Sequence, residues 1–151
     1  MKQSMKIDYE HYDSLQDLPA QDYALVQAAR AAAESAYAPY SHFKVGAAAR
    51  LHSGEIISAA NCESEVFPSG MCAERSLIYF HASNHSGDKI EALAIVSSPS
   101  ERECYPCGAC RQALLDAEKR QQNPIRIIMA SDSTATVVES AEVLLPFTFK
   151  L

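Results

Sequence analysis

The sequence predicts an α/β protein, a three-layer α/β/α arrangement around a mixed sheet of about five strands. Three observations predict it. A hairpin pattern of two apolar arms comes first, and an antiparallel pair follows from it. Short apolar runs then alternate with helix-patterned segments, which calls for helices on both faces of the sheet. The chain has 151 residues, 48% of them hydrophobic and 21% charged, enough for one ordinary compact domain spanning 1–151.

The elements follow in order. MKIDYEHY alternates Met5, Ile7 and Tyr9 with Lys6, Asp8 and Glu10, the period of a short strand. Residues 1–18 thus form an extra edge strand and a polar connection. DYALVQAARAAAESAYAPYS is rich in alanine and reads as a helix ended by Pro39. FKVGAAARLHSGEIISAANCE is the hairpin, turning at Ser53-Gly54. The pattern from Cys72 to about Asn84 is helical. Ile90 to Val96 is a buried strand, and SSPSERECYP a polar loop. Cys107 to about Arg120 reads as a helix, Ile125 to Met129 and Thr134 to Val138 as strands. Ser140 caps a final helix that stops at Pro146.

Charge and composition exclude several functions. The formal net charge is −6 and no Lys/Arg cluster occurs, so a polynucleotide partner is not expected. A small ligand of little charge fits better. No stretch reaches the ~20 apolar residues of a membrane span. The start lacks the apolar core of a signal peptide, so a cytoplasmic location is expected. The five cysteines cannot all pair, and three of them, Cys104, Cys107 and Cys110, crowd one segment. In a reducing compartment this points to metal or redox chemistry.

Cys107 and Cys110 in PCGAC stand one turn apart at a helix start, where two thiolates can share an ion and the helix dipole favours them. Cys72 opens a second helix and supplies a third candidate ligand. Three protein ligands leave one corner of a tetrahedral zinc ion free, the arrangement of catalytic sites, and that corner takes a water whose pKa the ion lowers. Glu74 lies two residues after Cys72. Residues two apart do not share a helix face, so Cys72 must sit at or before the first turn. From that turn Glu74 can act as a proton carrier and not as a ligand. Arg75 is the nearest cation in sequence, and a hydrogen bond to a ligand thiolate would offset the charge of three sulfurs. An exposed helix arginine is the equal alternative. Two other readings of the cysteines stay open: a four-cysteine structural zinc site recruiting Cys104 or Cys62, and a redox dithiol. Cys62 reads as core and Cys104 as a loop bystander. His42, His81 and His85 read as surface or structural residues.

In NCE, Asn61 and Glu63 project to one side of a strand end, with Cys62 opposite. An amide beside a carboxylate can hold a diol such as that of a sugar. A solvated strand end is the alternative. Phe43, just before the first hairpin arm, could stack on a planar base or belong to the core.

MCAER, Met71 to Arg75, together with PCGACRQ, Pro106 to Gln112, resembles the cytidine deaminases of the small zinc-dependent homotetrameric type. NCE, YAPYSHFKVGAA and LLPFTF resemble further landmarks of that family, from the first long helix to the C-terminus. The resemblance implies zinc on Cys72, Cys107 and Cys110, and Glu74 as the proton shuttle. It implies ribose held by Asn61 and Glu63, and a base stacked on Phe43 with Ala73 also at the substrate. Phe67, where relatives often have Tyr, and Phe149 would come from adjacent subunits of a homotetramer. The implied activity is hydrolytic deamination of free cytidine and deoxycytidine in pyrimidine salvage. Two departures stand out. Ser64-Glu65 replaces the usual Asn-Ala, and Tyr105 stands where many relatives have Ser. Ser64-Glu65 keeps a second substrate in view, another cytosine-bearing compound such as blasticidin S. A non-catalytic, zinc-stabilised binding domain is the reading from outside enzymology.

Overall fold

The computed structural model describes residues 1–151. Six strands form one sheet: β1 (Glu10–Tyr12), β2 (Lys44–Leu51), β3 (Ile56–Ala60), β4 (Ile90–Ser98), β5 (Arg126–Ala130) and β6 (Ala135–Val138). Three helices cover it: α1 (Ala20–Ala33), α2 (Ala73–Asn84) and α3 (Gly108–Gln121). The sheet order is β1-β6-β5-β4-β2-β3. Only β4 and β5 run parallel; every other neighbouring pair is antiparallel. The expected mixed sheet is present, and the N-terminal edge strand brings its strands to six.

Alternation along the strands divides the core in two. Leu93 and Ile95 of β4 face α2 and α3, where they meet Leu77, Ile78 and Leu114. Ala92, Ala94 and Val96 face α1, where they meet Leu25, Val26 and Ala29. Small residues bring α1 very close to β2. A Cβ on Gly46 would lie 1.9 Å from the Ala29 carbonyl oxygen and 2.5 Å from Ala33 N, so only glycine fits there. The buried Asp22 fastens the start of α1 to the sheet, pairing with Arg50 at 3.3 Å and Arg126 at 2.9 Å.

Several boundaries differ from the sequence reading. Of the strand expected over MKIDYEHY, only Glu10–Tyr12 pairs into the sheet. α1 stops at Ala33, well before Pro39, because Tyr37 is drawn into a bridge with Cys62. Tyr37 N–H donates to Asn61 O at 3.0 Å, and Glu63 N–H donates to Tyr37 O at 2.8 Å. The last helix is a 3-10 turn, Ala141–Leu144, although Ser140 caps it as expected, accepting from Glu142 N–H at 3.1 Å. β3 ends at Ala60, so Asn61 and Glu63 lie just beyond the strand.

Candidate metal centre and substrate pocket

The two cysteine motifs meet where α2 and α3 begin. Cys72 is the N-cap of α2 and Cys107 the N-cap of α3, each with extended backbone, and Cys110 lies in the first turn of α3. Their three sulfur atoms all lie within 4.8 Å of one another. Thiolates sharing one zinc ion, each at about 2.3 Å, stand within that span. Burial rises across the set, with Cys107 exposed, Cys72 half-buried and Cys110 fully buried.

The electrostatics of the trio fit a cation. The Cys72 thiol is pulled down to about 5, first by its hydrogen bond with Cys110 and then by the Arg75 guanidinium. The same contact, together with burial, pushes the Cys110 thiol up. Cys72 is thus the thiolate of the pair, and further ionisation beside it needs a positive charge. Soft donors, a compact span and two helix N-termini all suit zinc.

Glu74 sits in the first turn of α2 and is 4% exposed. Burial pushes its carboxyl above the usual carboxylate range, and the Cys72 thiolate beside it adds to the rise. Arg75 is as close as the sequence suggested: its Nη2 donates to Cys72 Sγ at 3.6 Å. Its Nε is buried without a partner. Cys104 lies in the loop outside the three-sulfur cluster, packed partly buried against the α2/α3 core, and burial pushes its thiol up to about 12. Cys62, expected in the core, is exposed, because the chain has already left the strand there.

A cavity of about 320 Å³ opens beside Cys72 and Arg75, walled by Tyr40, Asn61, Cys62, Glu63, Ser64, Phe67, Gly70 and Met71. Asn61 and Glu63 both reach back to the start of β2 and the segment before it. Asn61 Oδ1 accepts from Val45 N–H at 2.8 Å, while its Nδ2 donates to Phe43 O at 3.0 Å. Glu63 Oε1 accepts from Tyr40 N–H at 3.0 Å and Ser41 N–H at 3.1 Å. Hydrogen bonding by Ser41, its side chain first, holds the Glu63 carboxyl below the usual range. Phe67 is exposed and meets Tyr40 edge-on, ring centroids 6.2 Å apart. Phe43, Ala73 and Phe149 do not line this cavity in the single chain: Ala73 is wholly buried, Phe43 and Phe149 exposed. Sequence reasoning missed Tyr40, Ser64 and Met71. YAPYS carried Tyr40 only as a resemblance, and Ser64 was visible only as a departure. Its hydroxyl meets Ser69 Oγ at 2.8 Å and accepts from Val66 N–H at 3.1 Å, shaping the loop under Phe67. A larger cavity of about 350 Å³ at the start of α1 holds none of the thiols, and its arginines are already paired with acids.

Exchanging an amino group for water on a nucleobase calls for a thiolate-held ion with a free corner and a carboxyl that can carry protons beside it. On this helix-flanked mixed sheet those parts define a zinc deaminase. The sequence model described as the cytidine and deoxycytidylate deaminase zinc-binding region matches residues 19–123. A cytidine deaminase of Halalkalibacterium halodurans is 39% identical over 92 residues, covering 61% of this chain and 68% of the relative. A blasticidin-S deaminase of Bacillus cereus is 34% identical over 107 residues, covering 66% and 75%. The crystal structure of cytidine deaminase from Burkholderia pseudomallei superposes with a TM-score of 0.73 at 34% identity, covering 84% of this chain and 98% of that one. The chain belongs to the cytidine and deoxycytidylate deaminase family.

Proposed function

We propose that this chain deaminates free cytidine and deoxycytidine hydrolytically, giving uridine or deoxyuridine and ammonia. One observation carries the reading: a buried Glu74, its carboxyl pushed above the usual range, beside the three-sulfur cluster of Cys72, Cys107 and Cys110. Zinc on those sulfurs supplies the Lewis acidity that readies water for attack on C4 of the cytosine ring. The residues supply the rest. Glu74 takes a proton from the attacking water, gives one to N3 of the ring, and then protonates the departing amino nitrogen. Burial suits it to this work, since its pKa is raised toward the operating range. Arg75 holds the Cys72 thiolate and leaves its carboxylate neighbour free to move protons.

Asn61 and Glu63 are proposed to hold the ribose. Backbone contacts fix both side chains, and the ionised Glu63 can accept from sugar hydroxyls. Phe43 would stack on the base, with Ala73 beneath it at the start of α2. Phe67 and Phe149 would serve neighbouring subunits of a homotetramer. Their exposure in the single chain, 76% and 69%, supports burial in such an assembly. A cytoplasmic enzyme of pyrimidine salvage is the setting that suits a free nucleoside substrate. No helix is long and apolar enough to cross a membrane. The charge of −6 disfavours a polynucleotide.

Loss of cytidine absorbance on conversion to uridine, with a chelator control, tests the reading. No turnover by zinc-loaded protein would overturn it and favour a zinc-stabilised binding domain. A second substrate, blasticidin S or another cytosine-bearing compound, draws support from the Bacillus cereus relative and from Ser64-Glu65. Ammonia release from the two compounds side by side decides between them.

A further inference from the structure

Residues before Pro19 lie outside the family match, yet their strand reaches the loop that carries Cys107. His11 of β1 stands opposite Thr136 of β6. Its Nδ1 is 3.1 Å from Thr136 Oγ1 and 3.6 Å from Glu103 Oε1, and its Nε2 is 3.4 Å from Asp13 Oδ1. The Glu103 side chain is only 7% exposed, and His11 is the one basic group paired with it. Glu103 is also the meeting point of two hydroxyls. Thr134 Oγ1 donates to its Oε1 at 2.8 Å, and Tyr105 donates to its Oε2 at 2.8 Å. The neighbouring residues are fixed separately: Cys104 N–H donates to Ala130 O at 3.2 Å, and Arg111 Nε donates to Pro106 O at 2.8 Å. Tyr105 lies between them and is tied down through Glu103.

We propose that Glu103 is a positioning residue for the metal-ligand loop and that His11 holds it there, so that the N-terminal strand belongs to the catalytic unit. The proposal rests on the zinc deaminase reading for what the loop carries. A carboxylate this buried needs polar partners. Thr134 and Tyr105 supply hydroxyl donors, and His11 is the one basic side chain beside it, 3.6 Å from Oε1. Through the Tyr105 hydroxyl the carboxylate sets the path of the chain into Pro106 and Cys107, the N-cap of α3. Loss of His11 destabilises the carboxylate where it stands; loss of the Tyr105 hydroxyl disconnects it from the loop. Both routes loosen the grip on Cys107 through the same residue.

The test uses zinc-loaded full-length protein, as parent, His11→Ala, Tyr105→Phe and the double variant. Both side chains are partly exposed, so the fold survives each change. Zinc transfer to an excess of a colorimetric chelator is timed, and kcat and KM for cytidine are measured alongside. Each single variant is expected to release zinc about tenfold faster and to lose kcat at unchanged KM. The double variant is expected to be no faster than the faster single one, because both act through Glu103. Release rates equal to the parent's, or effects that multiply in the double variant, would overturn the proposal. Zinc transfer is read without turnover, so a parent that leaves cytidine untouched overturns the deaminase reading and not this one.

Discussion

The guanidinium of Arg75 reaches across one helical turn to the sulfur of Cys72, 3.6 Å away. The contact stabilises a thiolate that Cys110 already favours by hydrogen bonding. Replacing Arg75 by Gln removes the charge and raises the Cys72 thiol. Zinc affinity is expected to fall about 10- to 100-fold, measured by competition against a chelator of known affinity.

Glu74→Gln separates chemistry from metal binding. Turnover of cytidine is expected to drop by at least ~10²-fold, with zinc content unchanged by elemental analysis.

The same substitution should change stability in the opposite sense. The folded pKa of Glu74 lies above its unfolded value. The metal-free parent therefore loses stability as pH rises from the unfolded value through the folded one, and the loss is complete above it. A Gln carries no such cost. Metal-free Glu74→Gln is expected to melt higher than the metal-free parent at pH 8, by about 2–4 °C for each kcal/mol relieved. The gap should close at acid pH, where both side chains are neutral. Calorimetry across pH checks it.

Glu63 has a shift of the other sign. Its folded pKa is lowered by the Ser41 side chain and by the N–H groups of Ser41 and Tyr40. The carboxylate therefore stays ionised to lower pH than an ordinary Glu, and cytidine KM is expected to rise only once pH falls below that lowered point. Ser41→Ala is expected to move that onset to higher pH, as read from KM against pH.

Gly46 lies under α1, and a methyl group there would strike the Ala29 carbonyl at 1.9 Å. The obstacle is backbone, so no side chain can swing aside. Gly46→Ala is expected to cost about 3 kcal/mol or more, measured by urea unfolding of the zinc-loaded protein.

The three-cysteine cluster could be read from the chain because it is built from local spacing: one turn within PCGAC, and a cysteine just ahead of a helix. The place of Glu74 in the first turn of α2 followed from the same geometry. Cys62 and Cys104 could not be placed that way. Strand alternation sent Cys62 inward, but the strand ends at Ala60, where Asn61 takes over the Val45 N–H and turns the chain toward Tyr37 and Met71. Cys104 is partly buried by packing against the core beneath α2 and α3, contacts far away in sequence. The cavity walls had the same difficulty: Tyr40 meets Phe67 only after the segment before β2 and the loop after β3 fold together. The role of Glu103 rests on partners from three separate stretches, none of them adjacent to it along the chain except Tyr105.

The sheet is a partition. One set of 17 buried residues lies under the cysteine-bearing helices and another of 13 lies under α1. Improvements in heat resistance can be sought on the second side, by repacking the core around Leu25 and Ile128, away from the cysteine-bearing half of the molecule. An engineer who wants a hardier catalyst at undiminished speed should begin on the far side of that wall.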